Sequence, residues 1–396
     1  MSDPGPNGDP FEGMPFFGDI ARMLGQQGGA SWESARQLAV SVATGGVSEA
    51  NVDPVERISI EQLARVAELR VADVTGLTTS VSGRAVSVQP VNRTRWALDT
   101  LDAYRPLVER LAEALGATGA PEGDADPTDP LAGMFSSMLK SFQPMVLAMT
   151  AGSMVGHLAE RTLGQYDLPI PRPPTGQSAD ELLLVVPNLD AFAEEWSLAR
   201  DDLRLWICVH EVAHHAVFAV PHVRDRMNDL LTRYVSSFQN DPSSLEDRIG
   251  EIDLTSSSAL SDLQQALGSP EAILGAITSP QQEALRPQIE ALVATVAGVV
   301  DHVLDVVGGE LIPSYSMLTE ALRRRRVEAA ESDRFVERLF GLELTQAIYD
   351  RGSAFVAGVL ERAGDDGLRR LWTSAAYLPT PAELDAPGLW LARIDL

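Results

Sequence analysis

The sequence predicts a mainly α-helical protein with a small β component. Three observations lead there. Apolar residues recur at three- and four-residue spacing through most of the chain, as in Leu98, Leu101, Tyr104, Leu107 and Leu111. Only two short runs, Arg84 to Gln89 and Glu181 to Pro187, have the weak alternation or continuous apolar character of strands. One helical pattern free of proline, Asp201 to Val220, carries three of the six histidines.

The elements follow in order. Residues 1–30 are rich in Gly, Pro and Asp and are expected to be a disordered tail, with residues 31–396 forming one domain. Helices are expected over Ser31 to Thr44, Pro54 to Ala72 and Thr94 to Leu115, the last kinked or divided at Pro106. Ala117 to Pro130 reads as a loop. Leu131 to Leu163 reads as a long helix broken near Pro144, with Met134, Met138, Met145, Met149 and Met154 as core filling or as a substrate wall. A strand at Glu181 to Pro187 leads through a brief helix, Asn188 to Trp196, into the helix of Asp201 to Val220, whose first turn carries Asp201 and Asp202. Val223 to Val235 is helical. The polar stretch 241–288 reads as an inserted, variable segment. Ile289 to Val307 is an apolar helix expected to stop at Gly308-Gly309. Ser314 to Val327, Asp333 to Ala363 and Asp366 to Ala375 read as helices, and the tail from Leu378 as irregular.

Composition narrows the function classes. The formal net charge of -25 opposes nucleic-acid backbone and anionic lipid, so neither nucleic acid nor a membrane is an expected partner. The single cysteine, Cys208, excludes an internal disulfide and reads as a small buried hydrophobe. The N-terminus lacks the basic and apolar regions of a signal peptide, and the apolar stretch Val146 to Ala159 is too short to span a bilayer. A cytoplasmic location is the resulting expectation.

The chemistry concentrates in Val209-His210-Glu211-Val212-Ala213-His214-His215. In H-E-x-x-H the two histidines lie four residues apart, on one helical face, so His210 and His214 can reach one Zn²⁺ ion. Glu211 then falls where a general base for a metal-bound water is needed. His215 is turned away by one helical step of about 100°. A third protein ligand is required, and the helix Ile289 to Val307 is the place to look, with Asp301 as a carboxylate on it. His157 reads as a satisfied core histidine and His222 as exposed. The run Arg323 to Arg326 reads as a cation cluster near a helix C-terminus, or as a clamp for a substrate carboxylate.

Several motifs in order resemble the zincin-like hydrolases or metallopeptidases common in actinobacteria. They are Gly164-Gln165-Tyr166-Asp167-Leu168-Pro169, Leu205-Trp206 leading into His210-Glu211, Gly298-Val299-Val300-Asp301-His302, Leu318-Thr319-Glu320-Ala321-Leu322 with its arginines, Gly341-Leu342-Glu343-Leu344, Leu371-Trp372 and Leu378-Pro379-Thr380. The resemblance implies a zincin-like architecture, a catalytic helix and a peptidase or hydrolase activity on a peptide or protein substrate. It also implies Glu-Gly where this chain has Ala297-Gly298, and a supporting role for Asp301. Alanine cannot ligate. Asp301 can then move onto the metal, another group such as His302 or Glu310 can substitute, or the site is a relic. The competing expectations are a zinc metallohydrolase and a catalytically inactive binding or scaffold protein on the same fold.

Overall fold

The computed structural model describes residues 28–118, 130–173, 179–238, 279–328 and 331–395. Most of the expected tail, the expected loop after residue 118 and most of the polar segment lie outside these residues. The first part of the chain is α1 (Gly28–Thr44), α2 (Pro54–Thr75), β1 (Ser87–Val91), α3 (Arg93–Thr118) and α4 (Pro130–Arg161). It continues with β2 (Glu181–Val185), α5 (Val186–Glu195), α6 (Arg200–Ala219) and α7 (Pro221–Val235). The last part holds α8 (Pro280–Leu311), α9 (Tyr315–Val327), α10 (Glu331–Phe340), α11 (Gln346–Arg369), α12 (Pro381–Leu384) and α13 (Pro387–Ile394).

The fold is mainly α. Its described strands, β1 and β2, form one parallel pair in register from Ser87 with Glu181 to Val91 with Val185. Parallel pairing needs a crossover, which the intervening helices α3 and α4 supply. Leu182 to Val185 are all buried, which explains a continuous apolar run rather than an alternating one.

Helix α6 is the centre of the molecule. Every residue from Leu203 to Phe218 is buried, as expected of a helix covered on all sides. It packs against α2, α8, α7 and α5. Its start is tied down at Arg204, whose guanidinium donates to Glu56 Oε1 at 2.7 Å and Asp190 Oδ1 at 3.2 Å. Helix α8 lies beside it and is the one described helix long and apolar enough to cross a membrane, yet 78% of its apolar window is buried inside the protein.

Several elements differ from the sequence expectation, each for a local reason. Helices α3 and α4 run unbroken through Pro106 and Pro144. Helix α8 begins at Pro280, inside the segment read as polar insertion, because Ser279 and Gln282 form a reciprocal cap: Gln282 N donates to Ser279 Oγ at 3.2 Å and Ser279 N to Gln282 Oε1 at 3.0 Å. It also continues past Gly308-Gly309 to Leu311. Gly308 is there for close approach, since a Cβ would lie 2.3 Å from the Tyr315 ring. The expected single helix from Asp333 to Ala363 is two, parted at Gly341 with φ 69°. Gly364, with φ 62° and ψ -166°, parts α11 into two helical stretches, at the boundary expected between Ala363 and Asp366. The tail expected to be irregular carries α12, capped by Thr380 and Glu383, and α13. Trp390 of α13 is fully buried against Phe355, with ring centroids 5.4 Å apart.

Helices α8 and α11 meet backbone to backbone. A Cβ on Gly352 would lie 2.0 Å from Ala294 O, and one on Gly298 2.3 Å from Gly352 O. Gly352→Ala is therefore expected to lower the unfolding free energy by about 3 kcal/mol, as overpacking of a tight core does. Gly309→Ala, on the same long helix but with nothing within 4 Å of its Cβ position, is expected to raise it by about 0.5–1 kcal/mol. Urea denaturation of the two variants checks the contrast.

Candidate functional site

Helix α6 brings His210 and His214 together, with ring centroids 4.4 Å apart. Each ring is held by an aromatic neighbour. Trp206, one turn earlier, stacks on His210 at 5.1 Å and 18°, and Tyr166 stacks on His214 at 5.5 Å and 13°. His214 Nδ1 lies 3.0 Å from the His210 carbonyl oxygen. A carbonyl only accepts, so Nδ1 carries the proton and Nε2 keeps its lone pair. His210 Nδ1 lies 3.0 Å from Glu211 Oε1. Burial drives His210 down to about 3, with Asp167 opposing and Arg326 and Arg325 adding to the fall. Burial also holds His214 well below its ordinary value, and the neighbouring His210 contributes. Both rings are neutral at pH 7.

Glu211 is wholly buried. Its Oε2 accepts the backbone N–H of Gln165 at 2.8 Å and of Tyr166 at 2.9 Å, so both carboxyl oxygens are engaged. Burial raises its carboxyl well above the usual range; Asp167 adds to the rise and the two amide bonds oppose it. The carboxylate fits because residue 164 is glycine: a Cβ there would lie 2.5 Å from Glu211 Cδ and Oε1. The Gly164 carbonyl is itself fixed by Trp96 Nε1 at 3.0 Å and Thr162 Oγ1 at 2.9 Å, both donating to it.

A cavity of about 120 Å³ opens before the two histidines. Trp206, His210 and His214 of α6 form one side, and Val293 and Ala297 of α8 another. Arg325 and Arg326 of α9, Tyr349 of α11, the turn containing Asp167, Trp96 and Tyr104 of α3, Arg161 of α4 and Glu337 of α10 also line it. Glu211 does not line it.

The other predicted residues fall elsewhere. Asp301, one turn beyond Ala297, does not line the cavity and faces Arg326, whose Nη2 lies 3.5 Å from its Oδ1. Burial raises the Asp301 carboxyl and Arg326 pulls it back. His302 lines a separate small cavity with Thr75 and Trp372, and Glu310 pairs with Arg70. His215 does turn away, toward Asp180 Oδ1 at 3.2 Å through Nε2 and the Tyr166 hydroxyl at 3.2 Å through Nδ1. Burial alone would raise Asp180, but bonds from Ser82, Val81 and His215 outweigh it and keep the carboxylate charged. His215 Nε2 therefore donates to Asp180, and Nδ1 accepts from Tyr166, fixing the ring that stacks on His214. His157, expected in the core, is exposed beside Glu160. Cys208 is fully buried, and burial pushes its thiol up.

The arginine run divides. Arg323 and Arg324 pair with Glu320 on the surface, whereas Arg325 and Arg326 turn into the cleft. Arg326 lies 4.1 Å over the Tyr349 ring. Arg325 donates to Asp167 Oδ2 at 2.7 Å, and Leu163 N donates to the same oxygen at 3.1 Å. Glu337 of α10 is one cleft carboxylate without a role in the sequence reading, and Asp167 is another. Its signal was present in the run Gly164 to Pro169, whose order was noted without giving Asp167 a role.

Tetrahedral zinc at a catalytic centre takes three protein donors and a water. Here two nitrogens converge, and the α8 positions on the same cavity are Val293 and Ala297, neither of which can ligate. Among the described residues, no group of three His, Cys, Asp or Glu side chains is placed to hold a metal. The donor set does not fit a resident zinc ion.

A model of the zincin-like metallopeptidase family matches residues 30–391. The chain belongs to that family. Its fold is also that of a solved protein from Chloroflexus aurantiacus described as a "putative hydrolase with a novel fold". The two are 24% identical with a TM-score of 0.63, over 92% of this chain and 98% of that one. No curated protein matches the chain. Within the zincin-like family, this member pairs an intact His210, Glu211 and His214 helix with an α8 that supplies no ligand to the cleft.

Gly164→Ala is expected to push the Glu211 carboxylate off the Gln165 and Tyr166 amides. The cost is about 1–3 kcal/mol, from overpacking and buried donors left unpaired. The measurement is guanidinium unfolding beside wild type. An unchanged midpoint would show that the turn adapts without loss.

Proposed function

We propose that this zincin-like chain binds a peptide in the cleft between α6, α8 and α9 and does not hydrolyse it. Ala297 carries the reading: it faces the cavity that His210 and His214 line and offers no donor. The position of Glu211 agrees, because a general base must reach the attacking water and this carboxylate lies behind the cavity wall with both oxygens engaged. The cavity, about 120 Å³, has room for one side chain or a chain terminus. Aromatic faces from Trp206 and Tyr349 and the guanidinium of Arg326 suit a ligand with an apolar body and a carboxylate.

A second reading is a zinc metallohydrolase, probed by the same experiment. The retained His210, Glu211 and His214 favour it, since binding alone has no chemical need for that trio. Its third ligand would come from a carboxylate brought up to the two histidines, either Asp167, which already lines the cavity, or Asp301.

The test is elemental analysis of protein purified without added metal and again after zinc loading and dialysis, on wild type and His210→Ala. A degenerate peptide pool is then incubated with wild type and with Arg326→Ala. Wild type is expected to hold well under one zinc per chain, no more than His210→Ala, and to retain peptides uncut, with retention reduced in Arg326→Ala. Near-stoichiometric zinc that disappears in His210→Ala, with zinc-dependent cleavage of the pool, establishes the second reading in its place. Failure to retain any peptide removes the binding proposal.

A further inference from the structure

We infer that the outer face of α2 is an interface at which two copies of this chain pair, antiparallel and about Gln62. No residue of α2 lines the cleft, so the inference is independent of what the cleft binds. Helix α2 turns Ile60, Ala64, Ala67 and Val71 into the protein. Its opposite face carries Val55, Ile58, Val66 and Leu69, which are 74%, 55%, 41% and 68% exposed. At about 100° per residue, these four and Gln62 fall within an arc of about 80°, so they form one stripe. The other exposed positions from Pro54 to Leu69 are Pro54 itself and Arg65. The chain has a net charge of -25, yet no aspartate or glutamate is exposed along this stripe. Two such acidic chains repel each other, and the face of α2 is a place where close approach meets no exposed carboxylate.

The order of the residues selects a second copy as the occupant. Ile58 and Val66 lie four residues either side of Gln62, and Val55 and Leu69 lie seven either side. The stripe is therefore its own complement under a twofold axis at Gln62, as an isologous interface requires. In an antiparallel pair, Val55 of each copy comes opposite Leu69 of the other, and Ile58 opposite Val66. The two Gln62 amides meet at the axis, where each has a donor and an acceptor for the other. The charges agree with this pairing. Arg65 lies three residues after Gln62 and Glu61 one before it. Across the axis they fall on the same side of the contact, about 3 Å apart along the helix direction. Neither is ion-paired within one copy among the described residues. The exposed parts of the four aliphatic side chains amount to roughly 400 Å² per copy, half of the ~800 Å² that a standard interface takes from each partner. Gln62, Arg65 and Pro54 add to that footprint, and the pair is a reversible dimer rather than an obligate one.

The experiment is analytical ultracentrifugation of the full chain over a concentration series, for wild type, Ile58→Glu and Leu69→Glu. Wild type is expected to show a monomer–dimer equilibrium. Each variant is expected to keep its circular dichroism and to weaken the dimer at least tenfold. Cysteine crosslinking under mild oxidation reads the register, and the native Cys208 is silent because it is fully buried. Q62C is expected to link to itself. V55C is expected to link to L69C in a mixture of the two but not to itself, since the two copies of that position lie about 21 Å apart along the helix. A wild type that stays monomeric at every concentration overturns the inference, as does a dimer that survives both variants. Self-linking of V55C as fast as its linking to L69C overturns the antiparallel register. In a monomeric protein, slow thiol labelling of L69C would assign the stripe to another segment of the same chain and fast labelling would leave it bare; either result excludes the second copy.

Discussion

The Glu211 carboxylate, bound inside the protein by the amides of Gln165 and Tyr166, is the contact on which the rest of the site depends. It joins the central helix to the turn after α4. Through that turn it places Tyr166 against His214 and Asp167 in the cleft opposite Arg325. A buried carboxyl with unmet oxygens would be expensive, and the two amides meet that need. The same arrangement takes the carboxyl out of the cavity. A group that sequence places in the role of base thus serves here as a fastener.

The consequence for chemistry follows from which side chains remain in the cleft. Two neutral imidazoles, the guanidinium groups of Arg161, Arg325 and Arg326, aromatic faces and the carboxylates of Asp167 and Glu337 line it. Helix α8 offers Val293 and Ala297 to this cleft, and neither side chain can ligate a metal. Asp301 does not compensate, because its carboxylate lies one turn along α8 and is committed to Arg326, which in turn lies over Tyr349. The family's scaffold is preserved around a changed centre.

Much of this was legible in sequence, and the failures have physical causes. The helix carrying His210 and His214, the two strands and the outward turn of His215 follow from periodicity and from the angle between successive residues. The shortfall at Ala297 comes from the resemblance, which implies a glutamate there, and that residue does line the cavity. The start of α8 was missed because the capping box Ser279-Pro280-Gln281-Gln282 lay within a polar stretch, and polarity outweighed the cap in the reading. Thr380 and Glu383 repeated the error at α12. Gly308 reads locally as a stop, although it serves to admit the Tyr315 ring; a glycine's neighbours across space are not written in its local sequence. His157 was placed in the core on the strength of its apolar helix, yet its own position on that helix faces solvent. The engagement of Glu211 depends on contacts across forty-five residues or more, between Gln165, Tyr166 and α6, and no local pattern announces it.

The complete enclosure of α6 has a further implication, for how the chain is made. Its covering comes from α2, translated well before it, and from α8, translated long after it, with the segment 239–278 in between. While the ribosome is still adding α8, the apolar side chains of α6 have lost the shelter of the exit tunnel and have not yet gained that of their last partner. The nascent protein therefore exposes its central helix, buried on every side in the finished fold, for the seconds needed to synthesise the intervening stretch, at a usual pace of about 5–20 residues per second. That interval makes the incomplete chain a client for holding chaperones and sets a limit on how fast it can be overproduced without aggregation.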